Sequence, residues 1–304
     1  MPIEASACES RLSIILPARN ESAGLEQLLG ELRNSYPAAE IVVVDDGSTD
    51  ATPAICEKFG VARITHRYSI GNGAAVKSGA RAAKGDVFVF MDADGQHRAA
   101  DIPILLAKLE SGLDMVVGAR QSGSQANLGR GLANRFYNRL ASYMTGQKIE
   151  DLTSGFRAVR ARKFREFLYL LPNGFSYPTT ITMAFFRAGY SVSYEPIHTP
   201  KRIGKSHLHP IKDGLRFLLI IFKIGTLYSP LKLFVPIAFL HFLLGTGYYT
   251  YTYLTQGRLS LATLFMLTAS VTIFLIGLVS EQITQLMYRP VTNQADHEAG
   301  ELRK

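Results

Sequence analysis

The chain has 304 residues, 47% of them hydrophobic, and a formal net charge of +8; this length allows one large domain or two modest ones. No basic helix or aromatic ladder typical of nucleic-acid-binding proteins accompanies the positive charge, which therefore indicates an anionic membrane face or phosphate-bearing substrates. The N-terminus predicts no secretory signal, and the two cysteines, Cys8 and Cys56, form no CxxC pair and predict reduced cytosolic thiols rather than a zinc site.

Residues 12–117 alternate between short apolar runs and amphipathic segments. Apolar runs predict strands near 12–16, 40–45, 61–65, 86–91 and 113–117, and the segments between them predict helices near 24–36, 52–59, 71–84 and 101–111. A continuous run such as "IVVV" suits a strand that is covered on both faces. The alternation predicts an α/β fold with a mostly parallel sheet, in a domain that we place at 1–210.

Three of the predicted strands end in polar clusters, "PARNE", "DDGSTD" and "DADGQH". In open α/β sheets, ligands bind beyond the carboxyl ends of the strands, where the connecting loops emerge. One such cluster alone would indicate little about function, but three of them predict a binding site along this edge of the sheet.

The last of these clusters contains two carboxylates, Asp92 and Asp94, on either side of Ala93. In an extended segment the two side chains point the same way, and they repel each other unless a cation lies between them. Mg²⁺ and Mn²⁺ take oxygen ligands and often complete their shell with substrate phosphates, and Gln96 offers a neutral oxygen. The pattern predicts a divalent metal site at Asp92, Asp94 and Gln96, with a solvated acidic turn as the alternative.

A second acidic cluster, "DDGSTD", occupies 45–50. Asp46 is suited to accept hydrogen bonds from a ribose or a base. Ser48 or Asp50 is expected to cap the helix that starts at Thr52.

The segment "GNGAAVKSG" at 71–79 is rich in small residues at the start of a predicted helix. It resembles a phosphate-binding loop only loosely, because it matches neither GxxxxGK[ST] nor GxGxxG. Phosphate binding and simple packing both remain open for it.

The C-terminal part contains two apolar stretches, 233–254 and 259–280, with no Asp, Glu, Lys or Arg in their interiors. Each has about the 20 residues that cross a bilayer core, so we predict two transmembrane helices within 231–288, with a buried helical hairpin as the alternative. The segment 211–230 mixes basic and bulky apolar residues and predicts a helix in the membrane interface, or else a globular amphipathic helix. A polar cytosolic tail, 289–304, follows.

Basic residues flank the predicted hairpin on its outer sides. Arg216, Lys223 and Lys232 precede it and Arg289 follows it, whereas the connecting loop contains Arg258 alone. The positive-inside rule then places both ends of the hairpin, together with the N-terminal domain, in the cytosol. We therefore expect a multi-pass protein of the cell membrane.

Six motifs occur in the order found in the inverting GT-A glycosyltransferases: "LPARNES", "VVVDDGSTD", "GNGAAVKSGARAAKGD", "FMDADGQH", "VVGAR" and "DLTSGFR". Over about residues 11–210 the chain most resembles the polyprenyl- and dolichyl-phosphate sugar transferases of glycosyltransferase family 2, and its hairpin is similar to that of membrane-anchored members. The resemblance implies a GT-A fold, a GDP- or UDP-linked sugar donor, a polyprenyl or dolichyl phosphate acceptor, Mg²⁺ or Mn²⁺, and transfer of a hexose-type sugar with inversion.

The resemblance also implies roles for residues at matching positions. The nucleoside would be held by Pro17, Arg19, Glu21, Val44 and Asp46. The metal and the diphosphate would be held by Asp92, Asp94 and Gln96, with Ala93 also at the nucleotide sugar. The lipid phosphate would be held by Arg120, Arg130 and Asn134, where the family more often has Ser at the last position. The family pattern R-x-x-G-x-S-K corresponds to "KRIGKSH" here, so the cation that reaches the diphosphate is open among Lys201, Arg202, Lys205 and His207.

A phosphate acceptor and an alcohol acceptor differ in what they require of the site. An alcohol needs a general base, whereas a phosphate monoester, with a second pKa of about 6, is already an anionic nucleophile and needs cations. We expect only some of the cations in 118–207 to line the site: Arg120, Arg130, Arg135, Arg157, Lys201, Arg202 and Lys205. Asp151 is either a base or the partner that orients an arginine, and the catalytic candidates are Asp94, Arg120, Arg130, Asn134 and Asp151.

Other functions remain alternatives. A glycosyltransferase acting on a sugar or glycolipid hydroxyl would keep the same donor site, and a non-catalytic, membrane-tethered nucleotide-sugar-binding protein would keep the pocket without turnover. A processive polysaccharide synthase is disfavoured because its Q-x-x-R-W signature needs tryptophan, which the chain lacks. The glycine-rich opening of sugar-nucleotide pyrophosphorylases is also absent. The sugar, the nucleotide, the lipid length and the oligomeric state, including a homo-oligomer, stay open.

Overall fold

The computed structural model of the protein describes residues 12–120, 128–174, 176–197, 222, 226 and 229–287, without the side chains of 128–134. The chain divides into two compact units between residues 221 and 222. The strands of the first unit are β1 (Leu12–Ala18), β2 (Glu40–Asp45), β3 (Ala62–Thr65), β4 (Val87–Phe90), β5 (Met115–Arg120), β6 (Arg157–Arg160) and β7 (Val192–Ile197). Its helices are α1 (Ser22–Ser35), α2 (Thr52–Lys58), α3 (Asn72–Ala82), α4 (Ile102–Glu110), α5 (Leu128–Thr145), α6 (Ala161–Arg165) and α7 (Tyr177–Arg187).

These strands form one sheet in the order β3-β2-β1-β4-β6-β5-β7. β6 runs antiparallel to its neighbours β4 and β5, and the other neighbouring pairs are parallel. The predicted α/β fold with a mostly parallel sheet is confirmed. The sequence did not predict β6, which has four residues and an arginine at each end, or β7, which is mostly half-exposed. Neither strand shows a continuous apolar run.

β1 continues through Pro17, where the sequence predicted its end. Pro17 pairs in register with Val44 of β2, whereas the pairing with β4 stops at Ile15. Alternate residues of a strand direct their backbone groups to opposite neighbours, and the carbonyl of Ile15 faces β4 because it accepts from the N–H of Met91. A backbone N–H at position 17 would therefore face the chain that follows β4, where the two strands no longer pair. Proline at this position thus removes no hydrogen bond between β1 and β4.

The sheet is covered on both faces. Ile14 and Leu16 of β1 belong to the core that includes Leu25 of α1, while Ile15 points to the other face. There, a Cβ added to Gly79 of α3 would lie 2.4 Å from Cγ2 of Ile15. α3 can approach the sheet this closely because that position has no side chain.

The second unit consists, over the described residues, of α8 (Pro230–Gln256) and α9 (Leu261–Met287). Both helices are long and apolar enough to cross a membrane, with mean hydropathies of 1.5 and 2.2. Many large apolar side chains point outward, such as Phe239, 58% exposed, and Phe265, 74% exposed. The predicted pair of long apolar helices is therefore present. The interfacial helix predicted at 211–230 lies almost entirely outside the described residues.

α8 and α9 pack through small residues at seven-residue intervals. The buried residues of this seam are Ala238, Gly245 and Thr252 of α8 and Thr263, Ser270, Gly277 and Thr284 of α9. A seven-residue spacing keeps one stripe of each helix facing its partner, and small residues allow close approach of membrane helices. Ser270 adds a hydrogen bond of 2.8 Å from its Oγ to the carbonyl of Ala238.

Gly277 and Gly247 provide a matched test of this seam. A Cβ at Gly277 would lie 2.6 Å from Cβ of Phe234, so Gly277→Ala should destabilise the hairpin by about 1–3 kcal/mol through overpacking. Nothing lies within 4 Å of a Cβ at Gly247, so Gly247→Ala should be neutral or slightly stabilising. Thermal unfolding in detergent micelles measures both variants, and equal effects would contradict the packing described.

Candidate active site

The chain after β4 forms a tight loop that carries the candidate metal ligands. The backbone N–H of Asp92 donates to Nδ1 of His97 at 2.9 Å, and that of Gln96 donates to Oδ1 of Asp94 at 3.2 Å. Gly95 has a φ of 78°, which glycine adopts without steric cost. The loop thus keeps Asp92, Asp94 and Gln96 within one turn at the carboxyl end of β4.

His97 connects this loop, through a ring contact, to the segment that leads into β6. Its ring stacks on Phe156, with 5.0 Å between ring centroids and 22° between the planes. Burial lowers the pKa of His97, and Nδ1 must be unprotonated to accept the N–H of Asp92, so the imidazole is neutral. The sequence presented this imidazole in "DADGQH" but carried no signal that it would hold the loop.

Two glycines let backbone approach the same loop closely. A Cβ at Gly24 of α1 would lie 2.4 Å from the carbonyl oxygen of Ala93, and a Cβ at Gly155 would lie 2.8 Å from Oδ2 of Asp92. A side chain at either position would displace the loop. The carboxylate of Asp92 therefore rests against bare backbone of the 151–156 segment.

Arg120, the last residue of β5, forms a two-point ion pair with Asp151 of that segment. Its Nε donates to Oδ2 of Asp151 at 2.8 Å and its Nη2 to Oδ1 at 2.9 Å. Nη2 also donates to Oγ1 of Thr153. Within the described part of the chain the guanidinium makes no other hydrogen bond, which leaves the two N–H bonds of Nη1 for a ligand. The side chain of Arg120 is 27% exposed.

This ion pair determines the ionisation of Asp151. Burial opposes the charge of the carboxyl, but the hydrogen bonds and the charge of Arg120 outweigh it, so the pKa of Asp151 lies below its ordinary value. A carboxylate with a lowered pKa and both oxygens engaged is a poor proton acceptor. Of the two roles that the sequence left open, the geometry favours the orientation of an arginine.

The acidic loop and the ion pair form one electrostatic cluster. Burial opposes the charge of Arg120, while Asp151 and, after it, Asp92 and Asp94 raise its pKa. The structure therefore brings together four residues that the sequence singled out separately: Asp92, Asp94, Arg120 and Asp151.

Arg157, at the start of β6, is fully buried. Its Nη1 donates to the carbonyl of Pro178 and to Oγ1 of Thr182 at 3.3 Å each, and its Nη2 donates to the carbonyl of Ser154. The guanidinium ties the 151–156 segment to the start of α7. Arg157 was one of the cations considered for the site, and its burial gives it a supporting role instead.

Asp46, expected to contact a ribose or a base, has both carboxylate oxygens engaged by the segment after β3. Oδ1 accepts from Nδ1 of His66 at 2.7 Å and from the N–H of Ile70 at 2.9 Å. Oδ2 accepts from Oγ of Ser69 at 2.8 Å and from the N–H of Gly71 at 2.9 Å. Burial opposes ionisation, but these bonds outweigh it and hold the pKa of Asp46 below its ordinary value. A ligand would have to compete with four donors for this carboxylate.

Side chains also join the loops that follow β1 and β2. The backbone N–H of Asn20, which has a φ of 53°, donates to Oγ of Ser48 at 3.0 Å. Asp50 accepts from the N–H of Ser22 at 3.1 Å and from that of Thr52 at 3.0 Å. Asp50 thus accepts hydrogen bonds from backbone N–H groups at the starts of both α1 and α2. Asn20 is a structural residue of this edge that the sequence did not reveal.

The remaining nucleoside candidates lie at the same edge. Arg19 is exposed and Glu21 half-exposed, both in the loop after β1, whereas the side chains of Pro17 and Val44 are buried in the sheet. Cγ2 of Val44 would be 3.1 Å from a Cβ at Gly79, so this side chain faces α3. Only Arg19 and Glu21 of these four present side chains outward.

The glycine-rich start of α3 packs against backbone. A Cβ at Gly71 would lie 2.5 Å from the carbonyl oxygen of Asn173, and one at Gly73 would lie 2.1 Å from that of Pro172. The carbonyl of Asn173 accepts from the N–H of Ala74 at 3.1 Å. Protein carbonyls thus occupy the helix start where a phosphate would bind, and of the two readings left open the structure favours packing.

Several candidates fall outside the described residues. The side chains of Arg130 and Asn134 and the whole of 201–207, with Lys201, Arg202, Lys205 and His207, are not described. Arg135 is described, and it is exposed on α5.

The acidic loop suits an ion that takes few protein ligands. Within the residues that the structure describes, no three or more His, Cys, Asp or Glu side chains are grouped to hold a metal. Mg²⁺ is commonly bound by one or two carboxylates and completes its shell with water and substrate phosphates. Asp92 and Asp94, with Gln96 in the same turn, fit that kind of ion, whereas the described residues form no closed, all-protein site.

Comparisons with known proteins agree with this architecture. The profile of glycosyl transferase family 2 matches residues 13–168, and that of the GtrB C-terminal hairpin matches 229–286. Polyprenol monophosphomannose synthase of Mycolicibacterium smegmatis is 31% identical over 215 residues, which cover 65% of this chain and 81% of that protein. Dolichyl-phosphate hexose transferase of Haloferax volcanii is 30% identical over 206 residues, which cover 67% and 89%.

A solved structure shares the fold of the first unit. Glucosyl-3-phosphoglycerate synthase from Mycobacterium tuberculosis, crystallised with Mn²⁺, UDP-glucose and phosphoglyceric acid, superposes with a TM-score of 0.60 over 73% of this chain and 82% of that chain, at 19% identity. The family profile spans about half of the chain and includes the acidic loop, β5 and the segment of Asp151. The chain therefore belongs to glycosyl transferase family 2.

Proposed function

We propose that the protein is a membrane-anchored glycosyltransferase that moves a hexose-type sugar from a GDP- or UDP-linked donor to a polyprenyl or dolichyl phosphate, with inversion. The names of two relatives support a lipid-phosphate acceptor, and the apolar hairpin supports action at a membrane. The observation that carries the proposal is the ion pair of Arg120 with Asp151. It provides a fixed cation beside the acidic loop and commits the carboxylate of Asp151 to that cation.

The acceptor phosphate needs charge compensation rather than removal of a proton. Its second pKa is about 6, so at neutral pH it is already a nucleophile. Asp151 and Thr153 fix the plane of the Arg120 guanidinium, and the N–H bonds of Nη1 are left to hold a phosphate oxygen. A hydrogen-bond donor that is held in position before the substrates bind needs little reorganisation when they react. Arg130 and Asn134 of α5 are proposed to share the same phosphate.

On the donor side, Asp92 and Asp94, with Gln96, are proposed to hold Mg²⁺ or Mn²⁺. Such an ion would neutralise the negative charge that develops on the diphosphate leaving group. His97 holds the loop from one side, and on the other side the backbone of Gly155 restricts the position of the Asp92 carboxylate. The loop that carries both carboxylates is therefore in place before the sugar donor binds.

The nucleoside is proposed to lie along the ends of β1 and β2. Its contacts are proposed to come from Pro17, Arg19, Glu21, Val44 and Asp46, with Ala93 beside the sugar phosphate. The diphosphate is proposed to meet one or more cations of the segment after β7, which are Lys201, Arg202, Lys205 and His207.

The sheet domain is proposed to lie on the cytoplasmic side of the cell membrane. The positive-inside rule supports this orientation, because basic residues flank α8 and α9 on the outer sides while Arg258 alone lies between them. Donor and acceptor would then meet at the cytoplasmic surface.

A transfer assay tests the proposal together with its metal ligands. Purified protein with Mn²⁺, radiolabelled GDP- and UDP-sugars and polyprenyl phosphate should yield a labelled lipid. Asp92→Asn and Asp94→Asn should each reduce transfer by at least about tenfold to a hundredfold, since loss of a metal ligand costs no less than loss of the groups that support it. Asp86→Asn, just before the opposite end of β4, is the matched control and should remain active.

EDTA should abolish wild-type transfer, and added Mn²⁺ should restore it. Full activity in EDTA would refute the metal assignment. If no nucleotide sugar is transferred to polyprenyl phosphate, while one of them still raises the melting temperature of the protein, the lipid-phosphate acceptor is refuted, and the chain is either a transferase with a hydroxyl acceptor or a binding protein.

Asp151→Asn distinguishes the orientation of Arg120 from proton abstraction. Asparagine keeps one acceptor but loses the charge, so KM for polyprenyl phosphate should rise about tenfold to a hundredfold, equivalent to about 1.5–3 kcal/mol, with kcat largely retained. Loss of a general base would instead lower kcat about 10²–10⁴-fold. Asp114→Asn is the matched control, because Asp114 is also ion-paired, to Lys163 at 2.6 Å, but precedes β5; it should leave KM unchanged.

The pH dependence of stability provides an independent check on the same pair. The pKa of Asp151 is lowered on folding, so its ionisation contributes stability that is fully present above the ordinary carboxyl pKa of about 4 and is lost as the pH falls through the lowered value. Melting temperatures measured from neutral to acidic pH should therefore fall less steeply below about pH 4 in Asp151→Asn than in the wild type. Parallel curves would contradict the ion pair.

A further inference from the structure

Asn138 of α5 binds the backbone on both sides of Asp151. Its Nδ2 donates to the carbonyl of Glu150, and its Oδ1 accepts from the N–H of Leu152 at 3.1 Å. A primary amide offers a donor and an acceptor side by side, and here each of them meets a backbone group of the opposite kind. Because the residues before and after Asp151 are held in this way, the direction in which its side chain leaves the backbone is defined.

Ser142 extends the same contact by one helical turn. Its Oγ donates to the carbonyl of Asn138 at 2.7 Å and accepts from the N–H of Ile149 at 2.9 Å. Asparagine and serine are neutral to unfavourable in helix interiors, since their side chains compete for backbone hydrogen bonds. In α5 these two side chains together bind three backbone groups of the segment 149–152, and this contact accounts for their presence within the helix.

Asp151 connects this contact to the guanidinium of Arg120. Asn138 binds the backbone before and after Asp151, whereas Arg120 binds the carboxylate, at 2.8 and 2.9 Å. Within the described part of the chain, no hydrogen bond joins Asn138 to Arg120 directly. The position of α5 therefore reaches the guanidinium in two steps, first through the backbone of 150–152 and then through the carboxylate.

We propose that Asn138 is a positioning residue for the acceptor phosphate. It holds Asp151, and through Asp151 the guanidinium of Arg120, in the orientation in which Nη1 receives a phosphate oxygen. The inference rests on the proposed function, which assigns the acceptor phosphate to Arg120. If the carboxylate could shift, the guanidinium would be free to turn, and part of the free energy of binding would be lost in ordering it.

The spacing of residues along α5 supports this role. Positions 130, 134, 138 and 142 follow one another at four-residue intervals, and residues four apart are neighbours on one side of a helix. The last two positions bind the segment 149–152, and the first two, Arg130 and Asn134, are proposed to bind the acceptor phosphate. One side of α5 would then carry both direct contacts to the phosphate and the support of Arg120, so that these groups keep a fixed distance from one another.

Substitutions of Asn138 in the full-length protein test this role in the transfer assay. Asn138→Ala removes both hydrogen bonds, and Asn138→Asp keeps the shape and the acceptor but loses the donor to Glu150. Each should raise KM for polyprenyl phosphate about three- to tenfold, the ratio that corresponds to the net contribution of a hydrogen bond, with kcat largely retained. Ser191→Ala is the matched control, because Oγ of Ser191 accepts from the backbone N–H of Asp114 at 3.1 Å, before the start of β5; it should leave KM unchanged.

The kinetics distinguish positioning from a purely structural role. A variant that only lost folded protein would show a lower kcat at an unchanged KM. If Asn138 acts through Asp151, the double variant Asn138→Ala, Asp151→Asn should raise KM by clearly less than the product of the two single effects. A lower kcat at an unchanged KM, or single effects on KM that multiply, would overturn the inference.

Thermal unfolding of the full-length protein in detergent micelles tests the same connection without catalysis. Asn138→Ala and Arg120→Ala should each lower the melting temperature. The double variant should lose less than the sum of the two shifts, because both substitutions release the segment that carries Asp151. Ser191→Ala combined with Arg120→Ala is the control pair, and its shifts should add.

The two measurements separate this inference from the proposed function. If the wild type fails to transfer sugar to polyprenyl phosphate, the proposed function fails, while the melting temperatures still decide whether Asn138 supports Arg120. Shifts of Asn138→Ala and Arg120→Ala that simply add would overturn the inference, whether or not transfer occurs.

Discussion

The ion pair between Arg120 and Asp151 fixes the geometry of the site, because it joins two segments that lie 31 residues apart in the sequence. Arg120 ends β5, and Asp151 opens the segment whose bare backbone at Gly155 meets the carboxylate of Asp92. The buried guanidinium of Arg157 holds that segment through a hydrogen bond to the carbonyl of Ser154. The cation, the carboxylate that orients it and the acidic loop therefore depend on one another for their positions.

The sequence predicted those parts of the site that depend on local pattern. Apolar runs ending in polar clusters identify strands and their carboxyl ends, so the place of Asp92 and Asp94 followed from β4 alone. Residues that act through distant partners gave no such signal: His97 matters because Phe156 lies beneath it, and Arg157 is buried because α7 supplies its acceptors. The glycines before α3 illustrate the same limit, since the carbonyls of Pro172 and Asn173 that fill the helix start come from about 100 residues away.

The apolar hairpin is the part of the chain that suits a membrane. α8 and α9 are apolar nearly all round and are joined by a narrow stripe of small residues, which suits a hydrocarbon surrounding. A lipid phosphate lies at the level of the headgroups, so an enzyme that uses it as a nucleophile needs both an anchor and cations near the reacting atoms.

In the proposed reaction, the acceptor phosphate attacks without help from a protein base. The most direct test is the pH dependence of kcat/KM for three acceptors: the polyprenyl phosphate, its CH₂-phosphonate, whose second pKa is higher, and its CF₂-phosphonate, whose second pKa is lower. If the phosphate itself is the nucleophile, the acidic limb of the profile should move with the pKa of each acceptor. An acidic limb that stays at the same pH for all three would show that a group on the protein takes a proton, and it would contradict the account.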